Sequence, residues 1–261
     1  MKANTVILSS CRKPLSFAST VCMVAFFSLL ASQARATSYD AVTDFSSSTN
    51  TDTSTWSYRY QTGTVRDGIY PLLPMFTAAV GMWSPMNPGA WTLEGTIPEI
   101  GVNQTGSDAT FVPGPGSGPF TWPKNTMSVH PGPAELVVLS FLSPSTSFFN
   151  IDFSFSDLDP NGNNGGIAWF VDLNTTNLSM GSFGNGGASG MMNLNNIFVN
   201  AGDRINFIVD PNGDFFFDST QVTAMISSVA GLPDSASSLA LLSISLVTMF
   251  AAKFLLRAWL A

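Results

Sequence analysis

Apolar and polar residues alternate along the middle of the chain, between positions 37 and 231. The clearest run has apolar residues at every second position, namely Phe149, Ile151, Phe153 and Phe155. The positions between them are polar: Asn150, Asp152, Ser154 and Ser156. Because successive side chains of a strand point to opposite faces, this period of two predicts a half-buried β-strand.

Further segments of the same region predict strands. Apolar and polar residues also alternate over 56–60 and 205–209. The segments 136–142 and 167–173 are more continuously apolar, as in central strands. The segment 222–229 is predicted to be the last strand of the domain. No stretch here keeps an apolar period of 3.6 residues for three turns. The pattern therefore predicts an all-β domain, and an antiparallel, jelly-roll-like β-sandwich in particular, with a closed barrel as the alternative.

Turn sequences separate the predicted strands. Asp159-Pro160-Asn161-Gly162 and Asp210-Pro211-Asn212-Gly213 share one device, in which proline fixes φ and Asn-Gly accepts positive φ. The segment 113–123, dense in Gly and Pro, is predicted to be a surface loop. Segments 161–166 and 181–190 are predicted to be flexible loops.

The N-terminus has the three-part plan of a secretory signal peptide. Basic residues, including Lys2 and Arg12, precede a mostly apolar stretch over 15–30, and Ala34-Arg35-Ala36 offers a cleavage site. We expect a signal peptide over 1–36, with an uncleaved anchor as the alternative. Both cysteines of the chain, Cys11 and Cys22, lie within it, so the mature domain over 37–231 would have no disulfide and no thiolate.

The C-terminal segment, residues 232–261, predicts a membrane anchor. Residues 239–252 carry no charge, and 236–256 is long enough to span a bilayer, which takes about 20 helical residues, if Lys253 snorkels to one face. Lys253 and Arg257 form a basic end that belongs in the cytoplasm, which places Asp234 outside. A buried core helix is the alternative.

The residues that precede this helix carry a resemblance to a known family. Leu232-Pro233-Asp234-Ser235, followed by an apolar helix and a basic end, resembles the VPDSG-type relative of the bacterial PEP-CTERM sorting signals, with Leu232 in place of Val and Ala236 in place of Gly. The resemblance implies an exported protein whose partner is a membrane-embedded peptidase, an exosortase or a relative. Residues 152–169 and 204–220 loosely resemble the uncharacterised sandwich domains of such proteins, which implies no catalytic residue.

Charge is unevenly distributed along the chain. Between positions 37 and 231 there are 4 basic and 16 acidic residues, a net charge of −12. Nucleic-acid binding needs clustered Lys and Arg for phosphate contacts, so this region is not expected to bind nucleic acid. An acidic domain attracts cations instead.

Two oxygen-rich turns predict a cation site. Asp157, Asp159, Asn161 and Asn163 stand at alternate positions with Gly162 in sixth place, as in the first half of a calcium loop. Ala168 occupies the twelfth position, where an EF-hand has a bidentate Glu, so the loop is not an EF-hand. The second turn contributes Asp210, Asn212, Asp214 and Asp218, and the two could share one calcium ion. The alternative is that these residues only form Asx-turns.

Tryptophans are the candidates for ligand contact, because exposed rings stack on sugar faces. Trp83, Trp91 and Trp122 lie among Pro and Gly and are predicted to lie in loops, with Trp83 and Trp122 taken as ligand-binding. Trp56 and Trp169 lie in strand patterns and are predicted to be core residues.

Few residues of the sequence are candidates for catalysis. His130 is the only histidine and no Gly-x-Ser-x-Gly motif is present, so no catalytic residue is assigned. A pair of carboxylates drawn from Glu94, Glu99, Glu135 and the aspartates would suffice for glycoside hydrolysis. The expected function is a membrane-anchored, non-enzymatic protein of the cell surface or matrix that binds carbohydrate with calcium. A polysaccharide hydrolase is the alternative.

Overall fold

Strands form the regular structure of the compact unit Ala36–Val229. The computed structural model describes residues 36–80, 83–84, 86–95, 97–111, 119–160, 165–229 and 253. The strands are β1 (Ser38–Asp40), β2 (Trp56–Thr62), β3 (Met75–Thr77), β4 (Trp83–Ser84), β5 (Ala90–Thr92), β6 (Glu99–Val102), β7 (Ala109–Phe111), β8 (Phe120–Trp122), β9 (Met127–His130), β10 (Glu135–Leu142), β11 (Ser147–Asp157), β12 (Ile167–Leu173), β13 (Thr176–Phe183), β14 (Met192–Val199), β15 (Arg204–Asp210) and β16 (Thr220–Ser228).

Two large antiparallel sheets face each other. The first has the order β14-β11-β16-β9-β6-β5-β3, with β1 also paired to β16, and the second has the order β13-β12-β15-β10-β2. Strands β4, β7 and β8 form a third, small sheet. Of the strands β9 to β16, four lie side by side in the first sheet in the order β9-β16-β11-β14. The other four lie in the second sheet in the order β10-β15-β12-β13. Eight strands distributed between two sheets in this order form a jelly roll.

The core lies between the two large sheets and follows the predicted period of two. On β11, the side chains of Phe149, Ile151, Phe153 and Phe155 are buried, and they pack against the facing sheet. Phe155 stacks on Trp169 of β12 with ring centroids 5.2 Å apart, and Phe153 lies 6.0 Å from Phe207 of β15. The predicted antiparallel β-sandwich is therefore confirmed, since two sheets share one core.

All six predicted strands are present, but two predicted loops are partly wrong. Phe120–Trp122 is strand β8, paired with β7, rather than the end of a loop. Residues 181–183 belong to β13, and the turn begins only at 184. Gly181 is required there by packing, because a Cβ at this position would lie 2.5 Å from Cζ2 of Trp169. The glycine that suggested a loop instead makes room for a core ring.

Most of the terminal predictions fall outside the described residues. These are the signal peptide up to Arg35 with Ala34 of its cleavage site, the motif Leu232, Pro233, Asp234 and Ser235, the transmembrane helix and Arg257. Ala36 is exposed, and Lys253 is exposed and helical. Among the residues that can be described, no helix is long and apolar enough to cross a membrane.

Candidate cation site

Three loops meet at one end of the sandwich. They are the segment that leaves β11 at Asp157, the turn at 184–190, and the connection from β15 to β16 at 211–219. Backbone hydrogen bonds join them: the Leu158 N–H donates to Ser219 O at 2.8 Å, and the Asp157 N–H donates to Gly187 O at 3.0 Å. These pairings fix the loops against one another, so side chains from distant parts of the sequence share this end.

Asp157 holds the loops together. Its Oδ1 accepts a hydrogen bond from the Asp159 N–H at 2.7 Å, and its Oδ2 accepts one from the Gly186 N–H. Burial raises the pKa of the Asp157 carboxyl, and these two hydrogen bonds oppose that rise. Asp157 is thus a structural carboxylate that also brings negative charge to this end of the molecule.

Asp159 and Asp218 are the unusual members of the cluster. Their exposed fractions are only 5% and 1%, yet Oδ1 of Asp159 and Oδ2 of Asp218 have no hydrogen-bond partner among the described residues. Oδ1 of Asp218 accepts a hydrogen bond from the Gly166 N–H at 3.1 Å. A buried, unpartnered carboxylate oxygen costs free energy unless a cation or a proton meets it. Each of the two side chains is therefore a candidate ligand for a cation.

Oxygen atoms also converge beside Gly165, which has a φ of +110°. A Cβ at this position would lie 2.7 Å from Phe216 O, 3.2 Å from Asn185 Oδ1 and 3.4 Å from Asp218 Oδ1. The glycine lets its backbone approach a carbonyl, an amide oxygen and a carboxylate that come from two different loops. Ca²⁺ prefers this mixed set of oxygen ligands.

The pKa values of both carboxyls respond to their surroundings. Burial, and then repulsion from Asp157, raises the pKa of Asp159 to about 6. Burial raises the pKa of Asp218 to about 7, against the Gly166 hydrogen bond and with repulsion from Asp214, Asp157 and Asp210. Such groups hold protons weakly enough at neutral pH for a divalent cation to replace them.

The predicted metal set Asp157, Asp159, Asn161 and Asp210 is only partly brought together. Asn161 and Asn163 lie outside the described residues. Asp210 and Asp214 form Asx-turns, because their Oδ1 atoms accept hydrogen bonds from the Asn212 and Phe216 N–H groups at 2.8 and 3.0 Å. Asp218 is the acidic residue of the second turn whose Oδ2 is buried without a hydrogen-bond partner among the residues described here. Within the described ranges, no three His, Cys, Asp or Glu side chains form a metal-binding group by themselves.

The predicted sugar-stacking tryptophans are mostly buried. Trp122 is 0% exposed in β8, and its Nε1 donates to Thr126 O at 3.0 Å. Trp91 is also buried, in β5, and donates to Ser46 O. The prediction that these two rings lie open in loops is wrong, because cross-strand pairing and large apolar area draw them inward. The Trp83 backbone pairs with Phe111 in the small sheet, and its role in ligand binding stays a prediction. Trp56 and Trp169 are core residues, as predicted.

His130 lies opposite Glu99 in the pairing of β6 with β9. Its Nδ1 is 2.7 Å from Pro131 O, and burial lowers its pKa. Burial alone raises the pKa of Glu99 to about 7. Glu135 Oε2 accepts a hydrogen bond from the Ala134 N–H, and Glu94 is exposed. The carboxylate pair of a hydrolase remains a prediction.

Comparison with known proteins gives a fold-level likeness only. No family model and no curated protein matches this chain. A CBM51 from Clostridium perfringens GH95, solved with methyl-galactose, is 12% identical with a TM-score of 0.34, and the match covers 73% of this chain and 99% of that one. A family 35 carbohydrate-binding module from Clostridium thermocellum is 11% identical with a TM-score of 0.23, over 49% of this chain and 96% of that one. Likeness at these scores carries neither the name nor the ligand of those proteins to this chain.

Proposed function

We propose that this protein is an exported, membrane-anchored component of the cell surface or matrix, and that its sandwich binds calcium and extracellular polysaccharide without catalysing a reaction. The observation that carries the calcium proposal is that Asp159 and Asp218 each have a buried oxygen without a hydrogen-bond partner in the described part of the chain. They lie at the end of the sandwich where carbonyl and amide oxygens also gather.

Calcium suits this arrangement better than a smaller ion. Ca²⁺ takes six to eight oxygen ligands in flexible geometry, whereas Mg²⁺ requires a near-ideal octahedron. Asp159 and Asp218 would supply carboxylate oxygens, Phe216 and Asn185 would supply neutral ones, and water would complete the shell. Exchangeable water positions on a bound ion are places where neighbouring hydroxyls of a sugar can bind. The net charge of −12 between positions 37 and 231 favours the approach of any cation.

Binding of the purified full-length protein to immobilised polysaccharides tests this proposal. We expect retention in calcium and loss of retention in a chelator, restored when calcium is returned. Magnesium at the same concentration should restore little. Retention that ignores the chelator, or failure to bind any polysaccharide, would contradict the proposal. Release of reducing sugar ends during the assay would indicate the hydrolase instead.

The proposed location has its own test. The basic and apolar N-terminus, the C-terminal apolar segment and the basic residues Lys253 and Arg257 support an extracytoplasmic domain. A phosphatase reporter that is active only outside the cytoplasm, fused after Gly231, is expected to be active in cells. The same fusion without residues 1–36 is the control and should be inactive. Activity that does not depend on residues 1–36 would count against export by a signal peptide.

A further inference from the structure

A cavity of about 550 Å³ lies at the end of the sandwich away from the cation site. Its lining residues come from β1, the segment that follows it and the start of β2: Ser38, Tyr39, Asp44, Ser46, Thr49, Ser54, Thr55 and Trp56. The strand register places it. Asp157 pairs with Thr220 at one end of β11 and β16, whereas Phe149 pairs with Ser228 at the other end, next to β1.

The wall of the cavity is held by a network that does not use its lining hydroxyls. Arg59, which is 5% exposed, donates to Asp52 Oδ1 at 2.6 Å and to Tyr70 O at 2.6 Å. Asn50 Nδ2 donates to Tyr58 O at 2.8 Å and to Leu73 O at 3.0 Å. These bonds tie the segment between β1 and β2 to the sandwich, so the cavity exists before a ligand arrives.

Several polar groups of the lining remain available. The hydroxyls of Ser38, Thr49 and Thr55 make no hydrogen bond with the part of the chain that the structure describes. Asp44 is exposed, and only its Oδ2 is engaged, by the Asp40 N–H at 3.0 Å. Free hydroxyls beside a carboxylate match the alternating donors and acceptors of a sugar.

Trp56 adds a second, independent sign of a ligand. The residue lines the cavity and is 4% exposed, and its Nε1 has no hydrogen-bond acceptor within the described ranges. The ring packs on Phe141 with centroids 5.3 Å apart, which fixes its position. A buried indole N–H without an acceptor costs free energy, so a ligand hydroxyl that reached this atom after a small movement of the lining would be stabilised there.

We propose that this cavity binds a neutral sugar unit of the polysaccharide. The cavity would be a second binding site, so this inference rests on the proposed function. None of the lining residues is basic, so the cavity offers no charge partner for a phosphate or sulfate ligand. Its size lies within the range of small-molecule sites, roughly 300–1,000 Å³. Hydroxyls, one carboxylate and two aromatic rings, Tyr39 and Trp56, make up its polar and apolar contacts.

The test uses the full-length protein and an array of neutral oligosaccharides built from glucose, galactose, mannose and xylose, followed by titration with the best binder. The double variant Asp44→Asn/Thr55→Val is expected to bind about tenfold more weakly or worse, because a charge-assisted and a neutral hydrogen bond are weakened or lost. The amide oxygen of the introduced asparagine can still accept the Asp40 N–H, and valine has nearly the shape of threonine, so the fold should survive. Thr43→Val, an exposed neighbour outside the lining, is the matched control and should bind normally.

An NMR titration shows whether the ligand binds in the cavity. The indole N–H resonance of Trp56, assigned with Trp56→Phe, is expected to move on titration of the oligosaccharide. Unchanged affinity in the double variant, with a stationary Trp56 resonance, overturns the cavity as the site. If Asp218→Asn then abolishes binding, the proposed function stands without the cavity. If no neutral oligosaccharide binds the unmodified protein, the cavity proposal falls, and the proposed function falls with it only if the protein also fails to bind the immobilised polysaccharides.

Discussion

Replacing Asp218 by asparagine is expected to raise the melting temperature of the calcium-free protein at pH 8 and to remove the further increase that calcium produces. Asp218 is 1% exposed, and its folded-state pKa is about 7 instead of 3.8. A carboxyl with a raised pKa binds its proton more tightly in the folded state, so stability falls as pH rises from about 4 to about 7. At 1.36 kcal/mol per pKa unit, this costs up to about 4 kcal/mol at pH 8.

Asparagine removes that cost while keeping one contact. Its Oδ1 can still accept the Gly166 N–H, which donates to Oδ1 of Asp218 at 3.1 Å. The expected gain is several degrees, since about 1 kcal/mol shifts the melting temperature of a domain of this size by roughly 2–4 °C. Near pH 4 the variant and the parent should melt together. Thermal melts of the variant and the parent at pH 4 and pH 8, each with calcium and with chelator, measure these melting temperatures.

An exposed aspartate outside the cation site provides the control for Asp218→Asn. Asp67 is exposed, and its Oδ1 accepts the Ile69 N–H. Asp67→Asn should leave both the pH dependence and the calcium response intact. Equal calcium stabilisation of Asp218→Asn and the parent would refute a role for Asp218 in cation binding, whatever happens to the pH dependence.

Replacing Phe153 by alanine is expected to destabilise the sandwich by about 3–5 kcal/mol, the usual cost of deleting a buried aromatic ring. Phe153 is 0% exposed on β11 and contacts three aromatic rings. Its ring centroid lies 5.9 Å from that of Trp169, 6.0 Å from that of Phe207 and 6.0 Å from that of Phe155. The deletion would leave a cavity in the core between the two large sheets. Denaturant unfolding measures the loss.

Phe148→Ala is the control for that experiment. Phe148 lies on the same strand and is 50% exposed, with its ring 5.3 Å from that of Phe198 on the outer surface. Its removal should cost no more than about 1 kcal/mol. If Phe148→Ala and Phe153→Ala lowered the free energy of unfolding equally, the structure would be wrong in placing Phe153 in the core and Phe148 on the surface.

Local patterns were sufficient to predict the strands that form the core. The alternation on β11 predicted its buried face, and the continuous apolar runs predicted β10 and β12. Asn212 and Gly213 have φ values of +51° and +102°, as the Asp-Pro-Asn-Gly turn required. These features depend on neighbours in sequence, which is why the sequence can reveal them.

For the candidate site, the sequence and the structure favour different aspartates. Asp159 was identified, but Asp210 was favoured over Asp218, although both stand in the same oxygen-rich turn. Whether an aspartate bonds its own turn or keeps a free oxygen depends on which loops pack over it, and no local pattern records that. The same limit explains Trp122, whose glycine- and proline-rich surroundings suggested a loop while strand pairing buried it.

By itself, the sequence determined the all-β class, the inward face of β11, the positive-φ turn at 212–213 and the acidic character of the region between positions 37 and 231. The tertiary structure decided which oxygens of the described residues are left without a partner, which tryptophans are buried, and where β1 and β2 line an open cavity. The difference is physical: periodicity and turn geometry are set over a few adjacent residues, whereas burial and hydrogen-bond pairing are set by segments that lie far apart in the chain and meet only in the fold.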